Sequence, residues 1–159
     1  MKATILTGPA SAGKTTTLKM LIAMLLPGAE EIVYSSKPDI TAAGLWKEIE
    51  QELATKLQDL KNITVVLRID ELIVGIRTIG DTYDEVERSV QIFDKYKCDI
   101  ALFPCHPCTA EEAMLRKTYG GMMVSLPKIK LPKTVSDKKK YLKNLSVATE
   151  LFQEIMKHI

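Results

Sequence analysis

What the sequence has little of narrows the field first. Of its 159 residues only three are cysteine, Cys98, Cys105 and Cys108, too few and too clustered for a secreted disulfide framework. The longest apolar stretch, residues 20–26, falls far short of the ~20 residues a membrane-spanning helix needs. An apolar run follows the first lysine, but Gly13-Lys14-Thr15 interrupts it too early for a secretory signal. Together these absences predict a cytoplasmic protein with no membrane partner. Neither sign of charge dominates: the net charge is +2, so the molecule as a whole does not carry the field of a nucleic-acid binder. No internal repeat or low-complexity segment is visible, and only a lysine-rich stretch near the C-terminus resembles a linker. The length predicts a single domain, 1–159, built on one sheet flanked by helices.

The most specific feature is near the N-terminus. Residues 2–7 read as a short buried strand centred on Ile5 and Leu6. Gly8-Pro9-Ala10-Ser11-Ala12-Gly13-Lys14-Thr15 follows, a full match to G-x-x-x-x-G-K-[ST]. Thr16 then opens a helix over 16–26, with Leu18, Leu21, Ile22 and Leu25 at helical spacing and a stop at Pro27-Gly28. In a strand–loop–helix setting, Gly8 and Gly13 let the backbone wrap closely, so that consecutive N–H groups point inward at an anion. The helix N-terminus adds partial positive charge. Lys14 is placed to reach β- and γ-phosphates, and the Thr15 hydroxyl to ligate magnesium.

This segment resembles the Walker A motif of P-loop NTPases. The specific likeness covers the first quarter of the chain; beyond it the chain is similar to the superfamily in architecture alone. The resemblance implies a three-layer, doubly wound α/β fold with a mostly parallel sheet, dependence on Mg2+, and a nucleoside triphosphate held by Gly8 through Thr16. It does not choose between kinase, ATPase and molecular switch. The absence of an Asn-Lys-x-Asp motif argues against a common GTPase switch, and the absence of G-x-G-x-x-G removes support for a dinucleotide enzyme. The loop also lacks the extra lysine of the partitioning ATPases. ATP is therefore the expected nucleotide.

Such proteins place an acid at the end of an apolar strand to hold magnesium through water. Two runs compete. Residues 63–69 end in Asp70-Glu71, and residues 72–79 end in Gly80-Asp81. Only Asp70 and Glu71 separate the runs, whereas a parallel crossover needs about a dozen residues. They should form one antiparallel hairpin with Asp70-Glu71 as its turn. The second run leads to a helix over 82–96 and a strand over 99–103, a βαβ unit, which puts Asp81 at the carboxyl end of a parallel strand where ligands bind. Asp81 is the expected partner of Lys14 and Thr15; were the hairpin absent, Asp70 and Glu71 would replace it. Thr82-Tyr83-Asp84-Glu85 also reads as a capping box, which is compatible with Asp81 at a strand-to-helix junction.

The remaining segments are less specific. Residues 31–35 read as a strand, and its following loop as an ordinary turn. Residues 45–60 form an amphipathic helix with Trp46, Ile49, Leu53, Leu57 and Leu60 on one face, Trp46 as a core anchor. Val86, Val90, Phe93 and Tyr96 mark another buried stripe. Cys105, His106 and Cys108 lack the second ligand pair a zinc site needs, and read instead as a loop near the γ-phosphate. Thr109-Ala110-Glu111-Glu112 opens a helix carrying Arg116, the candidate basic side chain for neutralising transition-state charge. A last strand is expected over 122–126. Between Lys128 and Lys143 there are seven lysines and one acid, Asp137, which could attract nucleic acid, although no aromatic residue interleaves before Tyr141.

The expected activity is thus magnesium-dependent hydrolysis of ATP or movement of its γ-phosphate, with Lys14, Asp81 and Arg116 as catalytic groups. A small-molecule or nucleotide kinase is the second reading. A nucleotide-dependent binding module acting on nucleic acid or a protein partner is the third.

Overall fold

Residues 2–9, 12–55, 61–79, 82–120, 123–127 (backbone only) and 129–159 are described by a computed structural model of the chain. Among the described residues six strands form one sheet: β1 (Lys2–Thr7), β2 (Glu31–Ser35), β3 (Thr64–Ile69), β4 (Leu72–Arg77), β5 (Ile100–Cys105) and β6 (Met123–Pro127). The α-helices described around it are α1 (Lys14–Leu25), α2 (Ala42–Thr55), α3 (Tyr83–Lys95), α4 (Ala110–Tyr119) and α5 (Asp137–Met156). The strand order is β2-β3-β4-β5-β1-β6.

Alternating side chains divide the strands between two cores, the expected result of a period of two in a sheet covered on both faces. Leu6, Leu67, Val74 and Leu102 enter one core with residues of α1, α2 and α5. Ile5, Val66, Ala101 and Phe103 enter the other with residues of α3 and α4. Helices therefore cover both faces of a mixed α/β sheet. No helix among the described residues is long and apolar enough to cross a membrane.

The hairpin expected from the two-residue spacing is present: Ile69 pairs with Leu72, and the ladder runs antiparallel to Thr64 and Arg77. Asp70 makes the turn with φ of 58°. One expectation needs correction. The sheet holds two antiparallel pairs, because β2 also runs antiparallel to β3. The tight turn reverses β3 alone, and β3 lies between β2 and β4. β1 pairs in parallel with both β5 and β6, and β4 in parallel with β5.

Helix α1 is buried along most of its length between α2 and α5, polar Lys19 included. Lys19 Nζ meets Glu52 Oε2 of α2 at 2.6 Å, so the buried charge has its counter-ion. In α2 the buried positions are Leu45 and Ile49, whereas Trp46 is 44% exposed and is not the core anchor expected of it. Leu45 and Ile49 are one helical turn apart and face α1; Trp46 is rotated about 100° from Leu45. The expected continuation of this helix through Leu57 and Leu60 falls outside the described residues. On the opposite face, the Phe93 and Phe103 rings pack with centroids 5.3 Å apart.

Phe93 also fixes the residue beneath it. A Cβ on Gly75 would stand 2.5 Å from Phe93 Cδ1, a separation that no real packing contact reaches. Gly75→Ala is expected to destabilise the fold by about 1–3 kcal/mol through overpacking. Chemical unfolding of the variant checks this, and an unchanged midpoint would contradict the packing.

Candidate functional site

Parallel pairing brings Thr7 level with Cys105 and Pro127, so the chain leaves β1 at the carboxyl edge of the sheet. The 8–15 loop begins there. Its first amide, Gly8 N–H, donates to the Cys105 carbonyl at the end of β5, at 3.2 Å. The loop tightens on itself through Ala12 N–H to Pro9 O, 3.3 Å. Gly13 then precedes α1 with φ of 89°, the left-handed conformation that glycine tolerates best. Ala10 and Ser11 lie outside the described residues.

Helix α1 starts at Lys14, two residues earlier than the apolar stripe indicated, so Lys14, Thr15 and Thr16 form its first turn. Lys14 Nζ folds back onto the loop and donates to the carbonyls of Gly8 at 2.6 Å and Pro9 at 2.8 Å. The Thr15 hydroxyl donates to the Thr78 carbonyl at 2.8 Å. Thr78 is itself fixed: its amide donates to Ile63 O at 3.0 Å, and its hydroxyl accepts from Ile63 N–H at 2.8 Å. The start of α1 is thereby fastened to the chain leaving β4.

Asp81 lies outside the described residues, although Thr78, three positions before it, is beside Thr15. Asp70 and Glu71 occupy the hairpin turn at the other end of the sheet, remote from Gly8. Arg116 Nη2 reaches Glu112 Oε2 at 3.5 Å on the exposed surface of α4. It stands six residues past the start of that helix, on the order of 9 Å along its axis.

Both expected helix caps form, with their acids diverted. Thr82 Oγ1 accepts from Glu85 N–H, while the Glu85 carboxylate pairs with Arg77 at 2.9 Å. Thr109 Oγ1 accepts from Glu112 N–H, while the Glu112 carboxylate accepts from Cys108 N–H. Buried Arg77 also donates to Ser89 Oγ at 2.8 Å, tying the end of β4 to α3.

The chain 105–109 borders Gly8. Cys105 is buried, His106 half-buried and Cys108 exposed. Burial pushes the Cys105 thiol above its ordinary pKa; the Thr109 hydrogen bond and the Lys14 charge act the other way. Burial beside Asp99 pushes Cys98, at the opposite end of the strand, up to about 12. Among the described residues no three His, Cys, Asp or Glu side chains converge as a metal site.

Two contributors carried no local signal. A Cβ on Gly13 would fall 2.3 Å from Asn144 Oδ1, which places α5 directly against the loop. Arg77 reads as the polar end of an apolar strand, and only the position of α3 reveals its partners.

Comparison with protein-family models, curated proteins and solved structures returned no match. The reading of this site rests on its own geometry.

That geometry makes a test of the glycine. Gly13→Ala is expected to destabilise the protein by about 1–2 kcal/mol for the left-handed backbone alone, with the Asn144 clash added. Adding Asn144→Ala should recover only the clash. Unfolding of both variants checks this, and full recovery in the double variant would contradict the backbone argument.

Proposed function

We propose that the 8–15 loop binds the phosphates of ATP with Mg2+, and that the protein hydrolyses ATP or transfers its γ-phosphate. The observation that carries this reading is the loop's arrangement at the carboxyl edge of β1. Gly13 leads directly into α1, Lys14 Nζ lies over the loop carbonyls, and Thr15 opens the helix. An anion above the loop would meet the α1 N-terminus and the Lys14 ammonium together. Lys14 exchanges its hold on the Gly8 and Pro9 carbonyls for phosphate oxygens. The Thr15 hydroxyl donates its hydrogen bond to Thr78 O, which leaves oxygen lone pairs for a hard cation. One hydroxyl is no metal cage, but it fits Mg2+, which is commonly held by few protein ligands plus phosphates and water. Magnesium would supply charge neutralisation at the β- and γ-oxygens. Asp81, following the Thr78 anchor in sequence, is the proposed acid for its water shell. Arg116 is the proposed second basic group, with a small-molecule or nucleotide acceptor making the enzyme a kinase.

A second reading, nucleotide-dependent binding of nucleic acid, draws on the lysine-rich stretch. Lys138, Lys139 and Lys140 occupy the N-terminal turn of α5, where the helix dipole disfavours cations. None of Lys130, Lys133, Lys138, Lys139, Lys140 and Lys143 is in an ion pair among the described residues, while Lys19, Lys37 and Lys157 each meet a glutamate. Asn144 carries this charged segment up to Gly13.

Titration calorimetry with ATP and GTP, with and without magnesium, tests the first reading. Lys14→Ala should weaken ATP binding by about 1.5–3 kcal/mol, on the order of ten- to a hundredfold, in a variant that circular dichroism shows to be folded. Equal affinity in the variant would remove the central claim. For the second reading, single-stranded oligonucleotide binding should weaken with salt by about 0.7 in logarithmic slope per lysine–phosphate contact. Replacing Lys138, Lys139 and Lys140 with glutamine should flatten that slope; an unaltered slope would remove this role.

A further inference from the structure

The Cys-His-Pro-Cys sequence at 105–108 sits between β5 and α4, immediately beside the first residue of the 8–15 loop. Cys105 ends β5, and its carbonyl accepts the Gly8 amide at 3.2 Å. Its Sγ lies 3.3 Å from His106 O and 3.7 Å from Thr109 Oγ1. Cys108 is exposed, with φ of 61°, and its amide donates to Glu112 Oε1 at 3.3 Å. Two cysteines separated by two residues, the second with a left-handed backbone, therefore both precede Thr109, the N-cap of α4. The buried third cysteine, Cys98, belongs to the opposite end of β5.

We propose that Cys105 and Cys108 form a reversible disulfide within the chain, making this turn a redox switch on the neighbouring loop. Their environments assign the order of reaction. Exposed Cys108 meets the oxidant first, a low-molecular-weight disulfide such as oxidised glutathione. Its thiolate attacks one sulfur, the external S–S bond breaks, and one glutathione thiol leaves. Cys105 then loses its proton to water and attacks the Cys108 sulfur of the mixed disulfide, expelling the second glutathione thiol. Two protein thiols are oxidised and one external disulfide is reduced to two thiols. Burial holds Cys105 protonated and away from the oxidant, so exposed Cys108 reacts first and Cys105 attacks only once the mixed disulfide stands beside it.

Closing the ring requires Cys105 Sγ to turn from Thr109 Oγ1 toward Cys108. The Cys105 carbonyl that holds Gly8 N–H belongs to the same residue, so the strain of closure reaches the loop's first amide. The disulfide form should bind ATP more weakly. This consequence rests on the nucleotide reading above; disulfide formation does not.

The test equilibrates the full chain in glutathione buffers of graded redox ratio, then alkylates the remaining thiols and weighs the protein. The expected product is lighter by two hydrogens, has Cys105 and Cys108 linked, and leaves Cys98 alkylated only after unfolding. Cys105→Ser should instead stop at a mixed disulfide on Cys108, and Cys108→Ser should resist oxidation while folded. A wild-type chain that stops at the mixed disulfide, or stays reduced under oxidised glutathione alone, overturns the proposal. Calorimetry then compares ATP binding by the reduced and oxidised forms. At least fivefold weaker binding on oxidation, reversed by dithiothreitol and absent in Cys108→Ser, supports the switch. Equal affinity of the two forms overturns it. Failure of the reduced wild type to bind ATP overturns the nucleotide reading, and with it the effect on binding, while the mass measurement still decides the disulfide.

Discussion

The parallel pairing of β1 on both sides is the constraint from which the site follows. Its register sets Thr7 level with Cys105 and Pro127, so three strands end at one edge of the sheet. Parallel neighbours require crossover connections over the sheet's faces, and these bring helices back to that edge. The 8–15 loop is consequently bordered by three remote parts of the chain. Cys105 holds Gly8, Thr78 holds Thr15, and Asn144 packs where any side chain on Gly13 would stand. A short loop with little core of its own is made specific by backbone and side-chain contacts from elsewhere.

Proline contributes to the same edge. The β4–β5 ladder closes at Ile76 and Leu102, while β5 continues alongside β1 through Pro104 to Cys105. Pro104 has no N–H for a further ladder bond, and proline in a sheet belongs where pairing on one side has stopped. Beyond that point β4 turns its attention to other partners. Arg77 binds Ser89 and Glu85 of α3, and Thr78 binds Ile63 and Thr15. The Arg77 Nη1 and Nη2 groups and the Thr78 and Thr15 hydroxyls thus each meet specific neighbours, which costs less than leaving them unpaired and holds their geometry.

Charge is distributed with the same asymmetry. Lys19 lies deep between helices with Glu52, whereas Lys138 and Lys139, which open α5, are exposed. The former arrangement serves packing. The latter places positive charge near a helix N-terminus, where a stabilising sequence would favour acids. The acids that would complete the caps of α3 and α4 are likewise drawn into other contacts, Glu85 with Arg77 and Glu112 with Cys108 and Arg116.

By itself the sequence determined the features that depend on short spacing. Two residues between apolar runs cannot support a crossover, so the β3–β4 hairpin was legible, and with it the distance of Asp70 from the loop. The strand, glycine-rich loop and helix from Lys2 to Leu25 were legible from chain-local signals, as were the Thr82 and Thr109 caps. Tertiary structure decided the rest. The direction of β2 against β3 depends on a partner reversed by a distant turn. Leu45 and Trp46 both offer apolar surface, and only the approach of α1 selects Leu45 for burial. Neither Arg77 nor Asn144 announces its role, because the groups that define it, on α3 and at Gly13, become neighbours only when the helices pack. Local backbone chemistry could be read along the chain; contacts between distant segments existed only once the fold had brought them together.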